Sequence, residues 1–218
     1  MLTTTDPLTT TATRPSLSGA GVEAASATTS SSRAHELATP AARPPRGSAS
    51  RAGVQLPPVW IRRADSPIGR IELISDGDAI TSLKIESGGT LPFDHLPEQT
   101  NDVLELAVLQ LGEYFAGDRH TFDVPVHLTG TVFQREIWAR LAELEWGEVV
   151  SYGELGLSTG RATAGRAVGG AVGANPVPLI VPCHRVLASN HRITGYSAGE
   201  GVPTKSWLLD HEGIEHVK

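Results

Sequence analysis

Cysteine is nearly absent from this chain: its 218 residues hold one, Cys183. That excludes an internal disulfide and any cysteine-rich zinc site, and it points to a reducing compartment, with the cytoplasm as the expected location. Aromatic residues make up only 5% of the chain, and residues 1–56 contain none. That stretch is rich in Ser, Thr, Ala, Pro and Arg and shows no apolar periodicity. It cannot bury enough apolar surface to offset the entropy of ordering, so it reads as a disordered tail. Its Arg and Ser content also fits a transit peptide, but the amphipathic stripe of such a peptide is missing. No apolar run is long enough for a membrane span or a signal-peptide core, and no membrane partner is expected.

Excess positive charge is lacking too, since the net charge is −6 and the pI about 5.7. On the totals this argues against a nucleic-acid partner. The distribution weakens that objection: residues 57–126 hold five Lys/Arg against twelve Asp/Glu, whereas residues 127–218 hold eight against nine. The acids therefore sit mainly in the first half, and the second half is compatible with a modest affinity for nucleic acid.

What is present reads as two parts. Alternating residues at 59–61 and 69–74, the turn cluster Ser75-Asp76-Gly77-Asp78 and the run Ile80 to Ile85 predict strands joined in a hairpin. Asp102 to Phe115 predicts a helix ending at Gly117, with Val103, Leu104, Leu106, Ala107, Leu109, Leu111, Tyr114 and Phe115 on its apolar stripe. Together these make a small α/β domain over 57–126 with no visible catalytic cluster, a scaffold for the other half. From 127 onward, Thr131 is the expected N-cap of a helix reaching about Leu144, with Phe133, Ile137, Leu141 and Leu144 in the core and Trp138 beside them. Ser151 with Glu154 forms a capping box for a short helix, and Thr163 to Val172 predicts another after the turn Ser158-Thr159-Gly160. Two short helices about a glycine turn make a helix-turn-helix pattern, common in proteins of every function. Gly165, Ala167, Gly169, Gly170 and Ala171 leave the second helix almost bare, with Arg166 as its one charge. A bare helix permits close backbone approach and suits a minor groove better than a major groove, where long side chains read base edges. Lys205 to His211 predicts a last helix, closed by Glu212-Gly213.

The chemistry falls on Ile180-Val181-Pro182-Cys183-His184-Arg185-Val186. Ile180 and Val181 read as a buried strand end, and Pro182 interrupts regular pairing just before the thiol. A lone cysteine is usually a small buried hydrophobe, but here a titratable imidazole and a guanidinium adjoin it. The thiolate is the nucleophile, so a group must take the proton. His184, alone or through a water, and Arg185 as a nearby positive charge are the candidates to accept it or stabilise the anion.

Preceded by Asn175-Pro176-Val177-Pro178, this run resembles the active-site signature of the O6-alkylguanine-DNA alkyltransferases. The resemblance extends from Phe133 to Gly213, and more loosely from about Trp60. It implies an α/β protein with a ribonuclease-H-like N-terminal domain (57–126) and a mainly helical DNA-binding domain with a helix-turn-helix (127–218). The implied activity is irreversible, stoichiometric transfer of the alkyl group from O6-alkylguanine, and from O4-alkylthymine, onto Cys183. The implied relay joins Cys183, through a water, to His184 and Glu212. Tyr152 would rotate the nucleotide and protonate the leaving guanine, and Arg166 would enter the base stack, with Gly165, Ala167 and Gly169 along the DNA. Asn175 would be a hinge, while Tyr196, Ser197 and the carbonyl of Val186 would hold the base. The implied partner is double-stranded DNA bound through the minor groove with base flipping; the protein would act as a monomer or cooperatively along the DNA, without cofactor or metal.

The sequence departs from the family pattern at Ala198, where glycine is common, at Gly156, which should weaken its helix by up to about 1 kcal/mol, and in a longer loop over 199–203. A non-repairing damage sensor of the alkyltransferase-like kind would lack Cys183, and a sensor of methyl phosphotriesters would need an upstream cysteine cluster. A Cys-His hydrolase would need two adjacent side chains of an extended segment to meet, although such side chains point to opposite faces.

Overall fold

The computed structural model describes residues 60–160 and 165–218; the tail expected over 1–56, and Thr163 and Ala164 of the second short helix, lie outside the described residues. Three strands, β1 (Trp60–Ala64), β2 (Ile71–Ser75) and β3 (Ile80–Ile85), form an antiparallel meander in the order β1-β2-β3. Ile71 and Leu73 point into the core. Glu72, on the other face, is buried as well, because the register places Arg63 opposite it and their side chains pair at 3.0 Å. The tight turn into β3 is an Asx turn: Asp76 Oδ1 accepts the N–H groups of Asp78 and Ala79, and Gly77 takes φ 115°.

Helix α1 (Asp102–Ala116) starts where the Asn101 side chain accepts the N–H of Leu104 and stops at Gly117 with φ 82°. Its inner face is Leu104, Ala107, Leu111 and Tyr114. Leu106 and Leu109, placed by the sequence reading on that stripe, are 38% and 59% exposed, and Gln110 is buried. At 100° per residue both leucines lie well round the cylinder from Leu104.

The second part is mainly helical. Thr131 and Gln134 cap α2 (Val132–Ala142), and Ser151 and Glu154 cap α3 (Tyr152–Ser158), each through a reciprocal capping box. Helix α2 ends two residues before Leu144, and its Trp138 indole donates to the carbonyl of Ala171 in α4 (Gly165–Gly173). A two-residue strand β4 (Val150–Ser151) leads directly into α3 and pairs in parallel with β5 (Val186–Leu187). The last helix, α5 (Val202–His211), begins three residues before the expected Lys205, because Gly201 turns the chain at φ 74° and Pro203 fits the first helical turn.

One apolar cluster joins the two parts, running from Leu73 and Leu83 through Tyr114 to Ile137, Val168 and Leu208. The N–H of Leu83 donates to the carbonyl of Pro176, so β3 touches the segment that leads to the cysteine. The described chain is thus a mixed α/β structure, a sheet with one helix followed by a helical part. Among the described residues no helix is long and apolar enough to cross a membrane.

Candidate active site

The segment before Cys183 is a loop, which corrects the strand end expected at Ile180 and Val181. Val181 N–H donates back to Val177, closing a tight turn in which Leu179 adopts φ 74°. Two prolines, Pro178 and Pro182, remove the donors a strand would need. Asn175 holds this loop closed: its Nδ2 donates to the carbonyl of Val181 at 2.7 Å, and its Oδ1 accepts the N–H of Val177 at 3.1 Å. Cys183, His184 and Arg185 then form one 3₁₀ turn, ended by a bond from Val186 N–H to the carbonyl of Cys183. Successive side chains of a 3₁₀ turn diverge by a third of a revolution, so thiol and imidazole leave in different directions.

The imidazole turns to Glu212. His184 Nε2 lies 2.8 Å from Glu212 Oε1, Arg185 donates from Nε to Oε2 and from Nη2 to Oε1 at 2.7 and 2.9 Å, and the Tyr114 hydroxyl donates to Oε1 at 2.8 Å. All four residues are buried. Burial opposes ionisation of Glu212, but the His184 and Arg185 contacts win and hold the carboxyl at about 2. Burial pushes His184 below its ordinary value and Glu212 only partly offsets this, so the resting imidazole is neutral. Its Nδ1 is buried with no hydrogen-bond partner among the described residues, which leaves a lone pair available to accept a proton. Arg185, named from the sequence as a possible stabiliser of the thiolate, instead spends its charge on Glu212 and its Nη1 on the carbonyl of Leu144.

Cys183 is 4% exposed, yet it lines two cavities. One, of about 300 Å³, is bounded by Tyr152, Gly169, Val172, Thr194, Tyr196 and Ser197. The parallel β4–β5 pairing ties the segment that leads into Tyr152 to the strand that leaves the cysteine turn, and both residues line this cavity. Thr194 Oγ1 donates to the Tyr152 hydroxyl at 3.3 Å, and Ser197 Oγ donates to the carbonyl of Gly173. The other cavity, about 370 Å³, lies between the thiol, β3 and the loop over 197–199. Burial raises the Cys183 thiol, while Asn175, Tyr196 and Lys205 act against it.

Helix α4 stands beside the first cavity. Val168, Ala171 and Val172 face inward, whereas Gly165, Arg166 and Ala167 are exposed, and a Cβ on Gly169 would meet Tyr152 at 3.9 Å. The structure therefore gathers Cys183, Tyr152, Gly169, Tyr196 and Ser197 around one cavity, with His184 and Glu212 behind the thiol and Asn175 beneath it. Val186 does not line either cavity, and its carbonyl accepts from Lys205 Nζ at 2.5 Å. Two residues escaped the sequence reading. Tyr114 belongs to an apparent core stripe, and Lys205 to the first turn of a helix, and nothing in either pattern marks a side chain aimed at the site. Among the described residues no group of three or more His, Cys, Asp or Glu side chains could hold a metal ion.

A buried single thiol opening onto a cavity walled by tyrosines, with a His-Glu pair behind it, defines a cysteine-nucleophile protein on a small mixed α/β frame. Comparison with known proteins narrows the class. Residues 61–128 match the ribonuclease-like domain, and residues 132–214 the DNA-binding domain, of 6-O-methylguanine DNA methyltransferase. A methylated-DNA--protein-cysteine methyltransferase of Haemophilus influenzae is 39% identical over 70% of this chain and 85% of its own. The constitutive Bacillus subtilis protein of that name is 36% identical over 70% and 94%. Among solved structures, the Mycobacterium tuberculosis O6-methylguanine methyltransferase superposes with a TM-score of 0.64 at 40% identity, over 71% of this chain and 92% of that one. Its complex with DNA superposes equally well, over 71% and 93%. The chain belongs to the 6-O-methylguanine DNA methyltransferase family.

Proposed function

We propose that this protein repairs DNA by moving the alkyl group of O6-alkylguanine, and of O4-alkylthymine, onto Sγ of Cys183. The observation that carries the reading is that the thiol lines one cavity with Tyr152, Tyr196 and Ser197, beside the glycine-rich open side of α4. The thiol proton passes through a water to Nδ1 of His184, and Glu212 stabilises the imidazolium. The thiolate attacks the alkyl carbon, an S–C bond forms as the C–O6 bond breaks, and the electron pair leaves on guanine, which takes a proton from the Tyr152 hydroxyl. A thioether is a poor leaving group and no residue regenerates the thiol, so each molecule acts once.

In this reading residues 57–126 form the ribonuclease-H-like domain and residues 127–218 the DNA-binding and transfer domain, with α3 and α4 as the helix-turn-helix. Gly165, Ala167 and Gly169 let the backbone of α4 approach the minor groove, and Arg166 fills the gap left by the flipped nucleotide. Asn175 ties that helix to the nucleophile, and Tyr196, Ser197 and the second lone pair of the Val186 carbonyl hold the base. The protein acts on double-stranded DNA as a monomer. Cys183→Ala tests the assignment: it should abolish methyl transfer from a duplex containing O6-methylguanine and leave binding within a few-fold of the unaltered protein. Transfer that persists in this variant would overturn it.

A further inference from the structure

The cavity between the thiol, β3 and the loop over 197–199 takes no part in the transfer as drawn above. Its facing walls come from the two parts of the chain. One wall is stiff. Ser87 and Thr90 exchange both backbone hydrogen bonds at 3.1 Å, and Gly88 and Gly89 turn the tip between them at φ 57° and 76°, a hairpin geometry that glycine adopts without strain. Arg70 anchors the base of this hairpin, donating to Glu86 at 2.7 Å and to Asp94 at 2.8 Å, and Asp94 accepts the N–H of Leu91.

The other wall is a strap, the longer loop between Tyr196 and α5 that departs from the family pattern. At Gly199 it passes so close to its neighbours that a Cβ there would lie 2.6 Å from Thr204 Oγ1 and 3.1 Å from Ile85 Cγ2. Two bonds set its own shape: Gly201 N–H donates to the carbonyl of Ala198, and Glu200 N–H donates to Thr204 Oγ1. The Glu200 side chain reaches elsewhere. Its Oε1 accepts the N–H of Gly88 at 2.7 Å, which joins the strap to the hairpin tip across 112 positions of sequence. Both residues are exposed, so the bond lies at the rim of the cavity. A carboxylate on a backbone N–H makes a directed, charge-assisted bond, but at an exposed site it adds little to the stability of the fold.

Gly173, Cys183 and Ser197 line both cavities, so the two meet at the thiol. In the displacement Sγ, the transferred carbon and O6 lie in a row, and further carbons of the alkyl group project sideways from it. With guanine in the cavity of Tyr152, those carbons enter the neighbouring cavity, where Leu83, Ile85, Leu91 and Pro178 offer an apolar lining.

We propose that Glu200 is a specificity-determining residue, whose bond to Gly88 ties the strap to the hairpin and limits how bulky an alkyl group the thiol accepts. Without the tie the strap moves off the hairpin at the rim and the cavity widens. A methyl group ends at the transferred carbon and does not sense the change. The proposal deepens the repair reading and rests on it.

The test is single-turnover transfer from duplexes containing O6-methylguanine or O6-butylguanine, measured with the full chain as the unaltered protein, Glu200→Ala and Glu200→Gln. Glu200→Ala should raise the butyl-to-methyl rate ratio about threefold or more, the effect of losing one hydrogen bond of ordinary strength, with the methyl rate within about twofold. Glu200→Gln keeps an oxygen that accepts the Gly88 N–H, so its ratio should match that of the unaltered protein. A ratio that stays level or falls in Glu200→Ala would overturn the proposal, and so would a ratio that rises equally in both variants, because the tie would then not be the cause. Failure of the repair reading looks different, since none of the three proteins would then take an alkyl group from either duplex.

Discussion

Three buried polar side chains converge on Glu212, which accepts hydrogen bonds from Arg185 and Tyr114 and meets His184. Replacing it with glutamine removes the charge that holds Arg185 in the interior, and breaking one partner of a buried ion pair costs about 3–5 kcal/mol. Glu212→Gln should therefore lower the melting temperature markedly in calorimetry, and methyl transfer at neutral pH should fall at least about tenfold as the imidazolium loses its support. The sign of the pH dependence follows from the same group. Its folded value, about 2, lies below its ordinary 4.5. The stability it contributes is thus complete above pH 4.5 and is lost as pH falls toward 2. His184 adds to the acid loss, because burial favours its neutral form and the unfolded chain takes up the proton first as pH drops through its ordinary 6.5. Thermal melts from pH 7 to 3 should show the unaltered protein losing more stability than Glu212→Gln.

At the scale of elements, the nucleophile depends on a loop that one side chain closes. Asn175 follows the end of α4 and bonds the backbone on both sides of Pro178, at Val177 and Val181. Asn175→Ala leaves the Val177 N–H without its partner and the Val181 carbonyl with the Cys183 N–H alone, a loss of about 1–3 kcal/mol at the usual cost of a buried unpaired group, and lets the thiol drift relative to α4. The expected outcome is a lower melting temperature with transfer reduced far more than DNA affinity, measured side by side on one duplex. The N-cap at Thr131, the capping box at Ser151, the start of α1 at Asp102 with its stop at Gly117 and the Gly213 stop after α5 were all legible in the sequence, because caps are local chemistry within four residues. The loop was not. Ile180 and Val181 carry strand propensity, and only the flanking prolines together with Asn175 decide against a strand. The outward turn of Leu106 and Leu109 was equally hidden, since an apolar helix wider than its buried face gives no sign of which leucines remain outside.

For the whole molecule, the two parts share one site. The Tyr114 hydroxyl reaches Glu212 from α1, and β3 meets Pro176 ahead of the cysteine turn. The first part of the chain therefore contributes a donor to the buried cluster as well as a frame, a link that joins residues 98 positions apart. No periodicity in a sequence encodes a contact at that separation, which is why the local run pointed to Cys183 and His184, the resemblance to a family added Glu212, and Tyr114 and Lys205 emerged only from the fold. The central claim, single use of Cys183 as an alkyl acceptor, is tested most directly by intact-protein mass after incubation with excess duplex containing O6-methylguanine, followed by peptide mapping. The expected result is a gain of one methyl group on Cys183, stopping at one per molecule however much duplex is supplied. Demethylated duplex in excess of protein, or an unchanged mass despite clear binding, would contradict it.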